Sequence, residues 1–223
     1  MSLQLPLGIR LRDSATFADF HAGPNQPLIT ALRGNRDTGF YFWGAPGTGK
    51  SHLLQALCHE KSAEGQRVAW LPLAEPGLEP AMLEDWDQFD LICVDDLQRV
   101  AGQPDWELAL FHLYNRLQAG GGRLVISASE APARLPIGLP DLASRLGWGL
   151  VFQIRELSDA DKQTALRLRA RTRGLELSGE VAAYLLRHAP RDMKSLFALL
   201  EKLDEASLAA QRKLTIPFVR EFV

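Results

Sequence analysis

Gly44-Ala45-Pro46-Gly47-Thr48-Gly49-Lys50-Ser51 follows the phosphate-binding loop pattern G-x-x-x-x-G-K-[ST]. The apolar, aromatic run Gly39-Phe40-Tyr41-Phe42-Trp43 before it reads as a buried strand, and His52-Leu53-Leu54-Gln55-Ala56-Leu57-Cys58 after it reads as a helix. Strand, glycine-rich loop and helix in that order aim successive backbone N–H groups at a phosphate. The glycines permit the turn and let the backbone come close to a ligand. In this pattern Lys50 reaches the β- and γ-phosphates and the Ser51 hydroxyl ligates Mg²⁺.

The 223 residues carry 46% hydrophobic and 23% charged side chains, ordinary for a globular chain, and can hold one large domain or a medium and a small one. No apolar run approaches the ~20 residues of a membrane span, and Met1–Leu7 lacks the features of a secretory signal. A cytoplasmic location is expected, with Cys58 and Cys93 as buried, reduced thiols rather than a disulfide. No Cys/His cluster has metal-ligand spacing. Net charge is −2: residues 1–154 hold 12 Lys/Arg against 17 Asp/Glu, residues 155–223 hold 13 against 10. A dedicated nucleic-acid binder is usually far more basic. Arg167, Arg169, Arg171 and Arg173 form a basic run, but a spacing of two cannot place all four on one helical face, so a solvated helix side is expected.

From residue 39 strand and helix patterns alternate. Further strands are expected at Arg67–Leu73, Asp90–Asp95, Arg123–Ala128 and Leu150–Ile154, with helices near 51–64 and 105–119. The continuous apolar run Leu91-Ile92-Cys93-Val94 suits a parallel strand buried on both faces. The fold expected is α/β, a five-stranded parallel sheet flanked by helices. After about residue 156 the pattern turns helical. Ser158-Asp159-Ala160-Asp161 resembles a capping box opening a helix to about Arg173, which Gly174 ends. Residues 178–189 and 191–212 read as two more helices, and Pro217 starts a short last one. The expected division is 1–10 as an N-terminal peptide, 11–155 as a nucleotide-binding α/β domain and 156–223 as a small helical lid.

The strand ending Cys93-Val94-Asp95-Asp96 supplies a second nucleotide signal. A carboxylate at a strand tip beside a phosphate loop can hold Mg²⁺, which points to Asp95, with Asp96 placed to orient a water. Ser127 and Ser129 close the fourth strand, where a hydroxyl can touch the γ-phosphate or its water. Arg145 reads either as a helix-end cation in a surface pair or as an arginine finger. Lys194 alone reads as a solvent-exposed lysine.

Several segments together resemble the AAA+ ATPases of the DnaA group, and within it the Hda-like regulators of bacterial replication initiation. They are Thr16–Phe20 with Gly23-Pro24-Asn25, Gly44–Leu54, Asp95-Asp96-Leu97-Gln98, Gly138–Leu146 with Trp148-Gly149, and Lys213–Val219. The resemblance covers nearly the whole chain. It implies a P-loop AAA+ fold with a helical lid, and ADP or ATP with Mg²⁺ held by Gly44, Pro46, Gly47, Thr48, Gly49, Lys50, Ser51, His52 and Asp95. Ser51 and Asp95 are the implied metal ligands.

The resemblance also implies partners. Hda-like regulators bind ADP, dock on the β sliding clamp of the replicase and stimulate hydrolysis of ATP held by DnaA, so DNA is met indirectly, through the loaded clamp. Gln4-Leu5-Pro6-Leu7 resembles their clamp-binding peptide, with Gln4, Leu5 and Leu7 as contacts. Arg145 is implied as the finger aimed at DnaA-bound ATP. Ser129 stands at the sensor-one position in place of Asn or Asp, and Lys194 at the sensor-two position in place of Arg, keeping the charge but losing the bidentate fork. Asp96 stands where many AAA+ enzymes carry Glu. These departures predict weak or absent intrinsic turnover with nucleotide binding kept. The chain is expected to end without a helix-turn-helix domain, as a regulator rather than an initiator. The competing reading is a self-standing ATPase, such as a helicase loader or DNA remodeller, working as its own oligomer.

Overall fold

Strand β1 (Gly39–Trp43) runs into the glycine-rich loop, and helix α2 (Lys50–Ala63) leaves it. The computed structural model describes residues 15–34 and 39–223. Before β1 stands α1 (Gln26–Gly34). After α2 follow β2 (Val68–Pro72), β3 (Leu91–Asp95), α3 (Pro104–Gly120), β4 (Arg123–Ala128), α4 (Pro140–Trp148) and β5 (Leu150–Gln153). The five strands form one sheet in the order β2-β3-β4-β1-β5, with every pair parallel. The expected five-stranded parallel sheet is therefore present, and the strand limits agree within one residue at each end.

β3 and β4 are buried throughout, as continuous apolar runs require. Their side chains alternate between faces. Ile92, Val94, Leu124 and Ile126 pack with Leu110, Leu113 and Tyr114 of α3 and with Leu142 and Leu146 of α4. α2 packs on β3 as well, and there Cys58 meets Cys93; both thiols are free and buried. Because the strands are parallel, the ends of β1, β3 and β4 open on one edge, where open α/β sheets bind ligands.

The chain divides into two units. One contains Asn25–Arg155 together with residues 15–17; the other contains Ala18–Pro24 and Glu156–Val223. The second unit is helical: α5 (Asp159–Thr172), α6 (Gly179–His188), α7 (Met193–Ala210) and α8 (Ile216–Val219) enclose their own core of Leu166, Leu185, Leu200 and Phe218 among others. Its caps follow the sequence. Ser158, Ser178 and Asp192 each accept the backbone N–H three residues on, and Gly174 takes the left-handed conformation, φ +76°, that closes α5. The segment 18–24 is tied to this unit by His21, whose Nε2 lies 3.0 Å from Asp161 Oδ1. The arginine run divides between two faces. Arg169 and Arg173 pair with Glu201, and Arg173 also with Asp204, whereas Arg167 and Arg171 make no ion pair among the described residues. Half of the run is thus structural rather than solvated, as an i,i+4 pattern permits.

Candidate functional site

The phosphate-type loop is shaped by contacts only its own residues allow. A Cβ on Gly44 would stand 2.5 Å from Ile154 Cγ2 and 2.6 Å from its carbonyl oxygen. Gly47 and Gly49 adopt φ of +80° and +94°, the left-handed region that glycine enters without a steric cost. Thr48 donates its hydroxyl to Ala45 O at 2.8 Å and so closes the loop on itself. At the start of α2, His52 places Nε2 2.8 Å from Thr16 O, which ties the helix to the segment entering the unit. Lys50 is only 7% exposed, and its ammonium donates to Gly44 O (2.8 Å) and Ala45 O (3.1 Å). Burial lowers its pKa, against the pull of Asp96 and Asp95, which raise it.

Asp95, 3% exposed, ends β3 opposite Lys50 and Ser51. Burial holds its carboxyl above the usual range. Hydrogen bonds from Ser127 and Ser51 oppose this, Asp96 adds to it, and Lys50 opposes it again. Ser127, fully buried in β4, donates to Asp95 Oδ1 at 2.5 Å and accepts the Asp96 N–H at 3.2 Å. Asp96 takes a left-handed conformation (φ +61°) that costs a non-glycine residue about 1 kcal/mol. Its carboxylate accepts Gln98 Nε2 at 2.8 Å, while Gln98 Oε1 accepts the Ser129 N–H at 2.9 Å. Gly44–Ser51, Asp95, Asp96 and Ser129 therefore gather at the carboxyl edge of the sheet, joined through Ser127 and Gln98. Ser127 matters more than its sequence position suggests: the pairing of Val94 with Ile126 carries it level with Asp95, whereas Ser129 lies beyond the end of β4. Gln98 had no signal beyond its place in Asp95–Gln98.

The loop fits a phosphate, with its closed turn, two left-handed glycines and a helix of 14 residues opening at Lys50. Ser51 Oγ and the Asp95 carboxylate already meet, so two hard oxygen donors stand where a Mg²⁺ would need them. Among the described residues there is no cluster of three or more His, Cys, Asp or Glu that could hold a metal ion.

Arg145 lies in the last turn of α4. It makes no ion pair or hydrogen bond among the described residues; its Cζ lies over two rings, Tyr114 at 5.6 Å and Trp148 at 4.7 Å. Among the described residues it has no surface pair. α4 is placed by Glu107 of α3, a carboxylate 2% exposed that accepts the backbone N–H groups of Gly102 (2.7 Å), Gly138 (3.1 Å) and Leu139 (2.7 Å). Nothing in sequence distinguished Glu107. Lys194 stands exposed as the second residue of α7, in the helical unit. Gln4, Leu5 and Leu7 lie outside the described residues. Among the described residues no helix is long and apolar enough to cross a membrane.

Residues 159–223 match the family model described as "Hda, lid domain", and residues 79–153 that of the bacterial DnaA ATPase domain. Domain III of the Thermotoga maritima replication initiation protein DnaA superposes with a TM-score of 0.80 at 21% identity, over 95% of this chain and 96% of that one. AMPPCP-bound DnaA from Aquifex aeolicus gives 0.74 at 22%, over 87% and 66%. The Thermotoga maritima Holliday-junction branch migration motor RuvB gives 0.64 at 13%, over 86% and 63%. At these identities the superpositions speak for the fold.

Proposed function

The chain belongs to the Hda/DnaA-like AAA+ proteins of replication initiation, and on that premise we propose that it is a nucleotide-binding regulator that stimulates hydrolysis of DnaA-bound ATP while held on the β sliding clamp. The supporting observation is Arg145: a guanidinium positioned by aromatic rings, its donors free of any carboxylate among the described residues. ADP or ATP binds at Gly44–Ser51 and His52, with Lys50 exchanging its loop carbonyls for phosphate oxygens. The AMPPCP bound to DnaA in two of the similar structures agrees with this assignment. Mg²⁺, held by Ser51 and Asp95, neutralises phosphate charge, and Asp96 and Ser129 face the γ-phosphate side. Lys194 contributes charge as sensor two. Gln4, Leu5 and Leu7 form the clamp peptide. This chain's own turnover is weak, because Ser129 and Lys194 are poor substitutes for the usual amide or carboxylate and arginine.

DnaA–ATP mixed with the protein and DNA-loaded clamp should lose its ATP rapidly. The Arg145→Ala variant should lower that stimulated rate by about 10³-fold or more, the scale of a finger supplied in trans. Full stimulation by the variant overturns the reading. Rapid ATP turnover by this protein without DnaA favours the self-standing ATPase instead.

A further inference from the structure

We propose that Tyr114 and Trp148 form an aromatic cage that orients Arg145 for phosphate while leaving its hydrogen-bond donors unspent, with Trp148 as a positioning residue. The inference rests on the finger reading above and goes one step into how the finger is set. A ring face attracts a cation through its quadrupole but offers no oxygen to its N–H groups. Arg33, Arg67 and Arg173 of this chain end on carboxylates, which neutralise the charge and occupy the fork. Arg145 is anchored differently. Its Cζ lies over Tyr114 and Trp148, within the ~6 Å at which cation–π attraction operates.

The two walls of the cage differ. Tyr114 is 5% exposed and belongs to the packed core. Its hydroxyl fits against Gly39, where a Cβ would stand 3.2 Å away. Trp148 is 69% exposed and three residues beyond Arg145 on α4, so the two side chains are helical neighbours. Such exposure removes most of the packing reason for a tryptophan here. Its cation–π contact with Arg145 is the described interaction it makes. An arginine held this way gives up rotamer freedom before its target arrives. The cost of ordering the side chain is then met within the free protein, and the guanidinium edge keeps its bidentate geometry for phosphate.

The test follows hydrolysis by DnaA–ATP with loaded clamp as the concentration of this protein is varied. Trp148→Ala should lower the maximal stimulated rate about three- to tenfold and leave the half-saturating concentration unchanged. Trp148→Phe, which keeps a ring face, should restore most of it. In the free protein the Arg145 Nε–H proton, shielded by the rings, should move downfield in Trp148→Ala. An unchanged maximal rate overturns the cage, as does a change in half-saturating concentration alone, which would make Trp148 a contact residue. If Arg145→Ala is inactive and Trp148→Ala is not, only the cage falls. If Arg145→Ala is active, the finger and the cage fall together.

Discussion

Asp95 shows how function and stability oppose each other in one side chain. It is buried, next to a second acid, and held by two hydroxyls and a lysine. Its pKa is raised, so the folded protein keeps the proton more readily than the unfolded chain does. As pH rises above 3.8, the ordinary value, the unfolded chain ionises first and stability falls until the folded group has also ionised. At neutral pH the whole cost is present. Asp95→Asn removes it, keeps the oxygen that accepts from Ser127, and gives Ser51 a donor. We expect the variant to be more stable without nucleotide by on the order of 1 kcal/mol, or ~2–4 °C in Tm, with a flatter pH dependence between the two pKa values. It should also lose the Mg²⁺-dependent part of nucleotide affinity. Thermal unfolding across pH and titration of ADP with and without Mg²⁺ check both statements. A less stable variant would mean that attraction to Lys50 outweighs burial.

At the scale of elements, the helix α3 does more than cover the sheet. Glu107 gathers three backbone N–H groups from two loops, and two of those come from Gly138 and Leu139, immediately before α4. Glu107→Ala would leave these three backbone donors without their acceptor, at a cost of about 1–3 kcal/mol. Urea unfolding should show that loss, with faster hydrogen exchange at Gly102, Gly138 and Leu139. Exchange unchanged at those amides would refute the clamp role. Such a residue is illegible in sequence because a glutamate within an amphipathic helix reads as solvated, and only the return of a distant loop buries it. The strands were legible for the opposite reason: Leu91–Asp95 and Arg123–Ala128 are continuous runs whose burial needs no partner information. Helix α5 was legible from its cap and closing glycine, α8 from Pro217, and α2, α3, α6 and α7 from their helical stretches. α1 and α4 were not expected; each carries a proline in its first turn, Pro27 and Pro140, where proline leaves no helical bond unmade. At the candidate site the loop and Asp95 were readable from pattern, while Ser127 and Gln98 depend on how β3 and β4 pair.

Across the whole molecule, the two units keep separate cores, one built on the sheet with α3 and α4, the other on α5 to α8. The proposed clamp contacts Gln4, Leu5 and Leu7 and the finger Arg145 stand far apart in the sequence, so clamp attachment and stimulation should be separable by mutation. The clamp peptide works as a tether under the proposed function. It raises the local concentration of this chain beside DnaA and can gain 10²–10⁴ in apparent affinity without new contact at the active site. Deleting residues 1–8 should leave Tm and its shift with ADP unchanged and abolish capture on immobilised clamp. At low protein concentration the deletion should reduce stimulation of DnaA–ATP hydrolysis by about 10²-fold or more. Raising the concentration should then recover the rate, because Arg145 is intact, and should not do so for Arg145→Ala. Clamp capture that survives the deletion removes Gln4, Leu5 and Leu7 from the interface. Stimulation that no concentration restores would show that the segment acts on the finger itself and not as a tether alone.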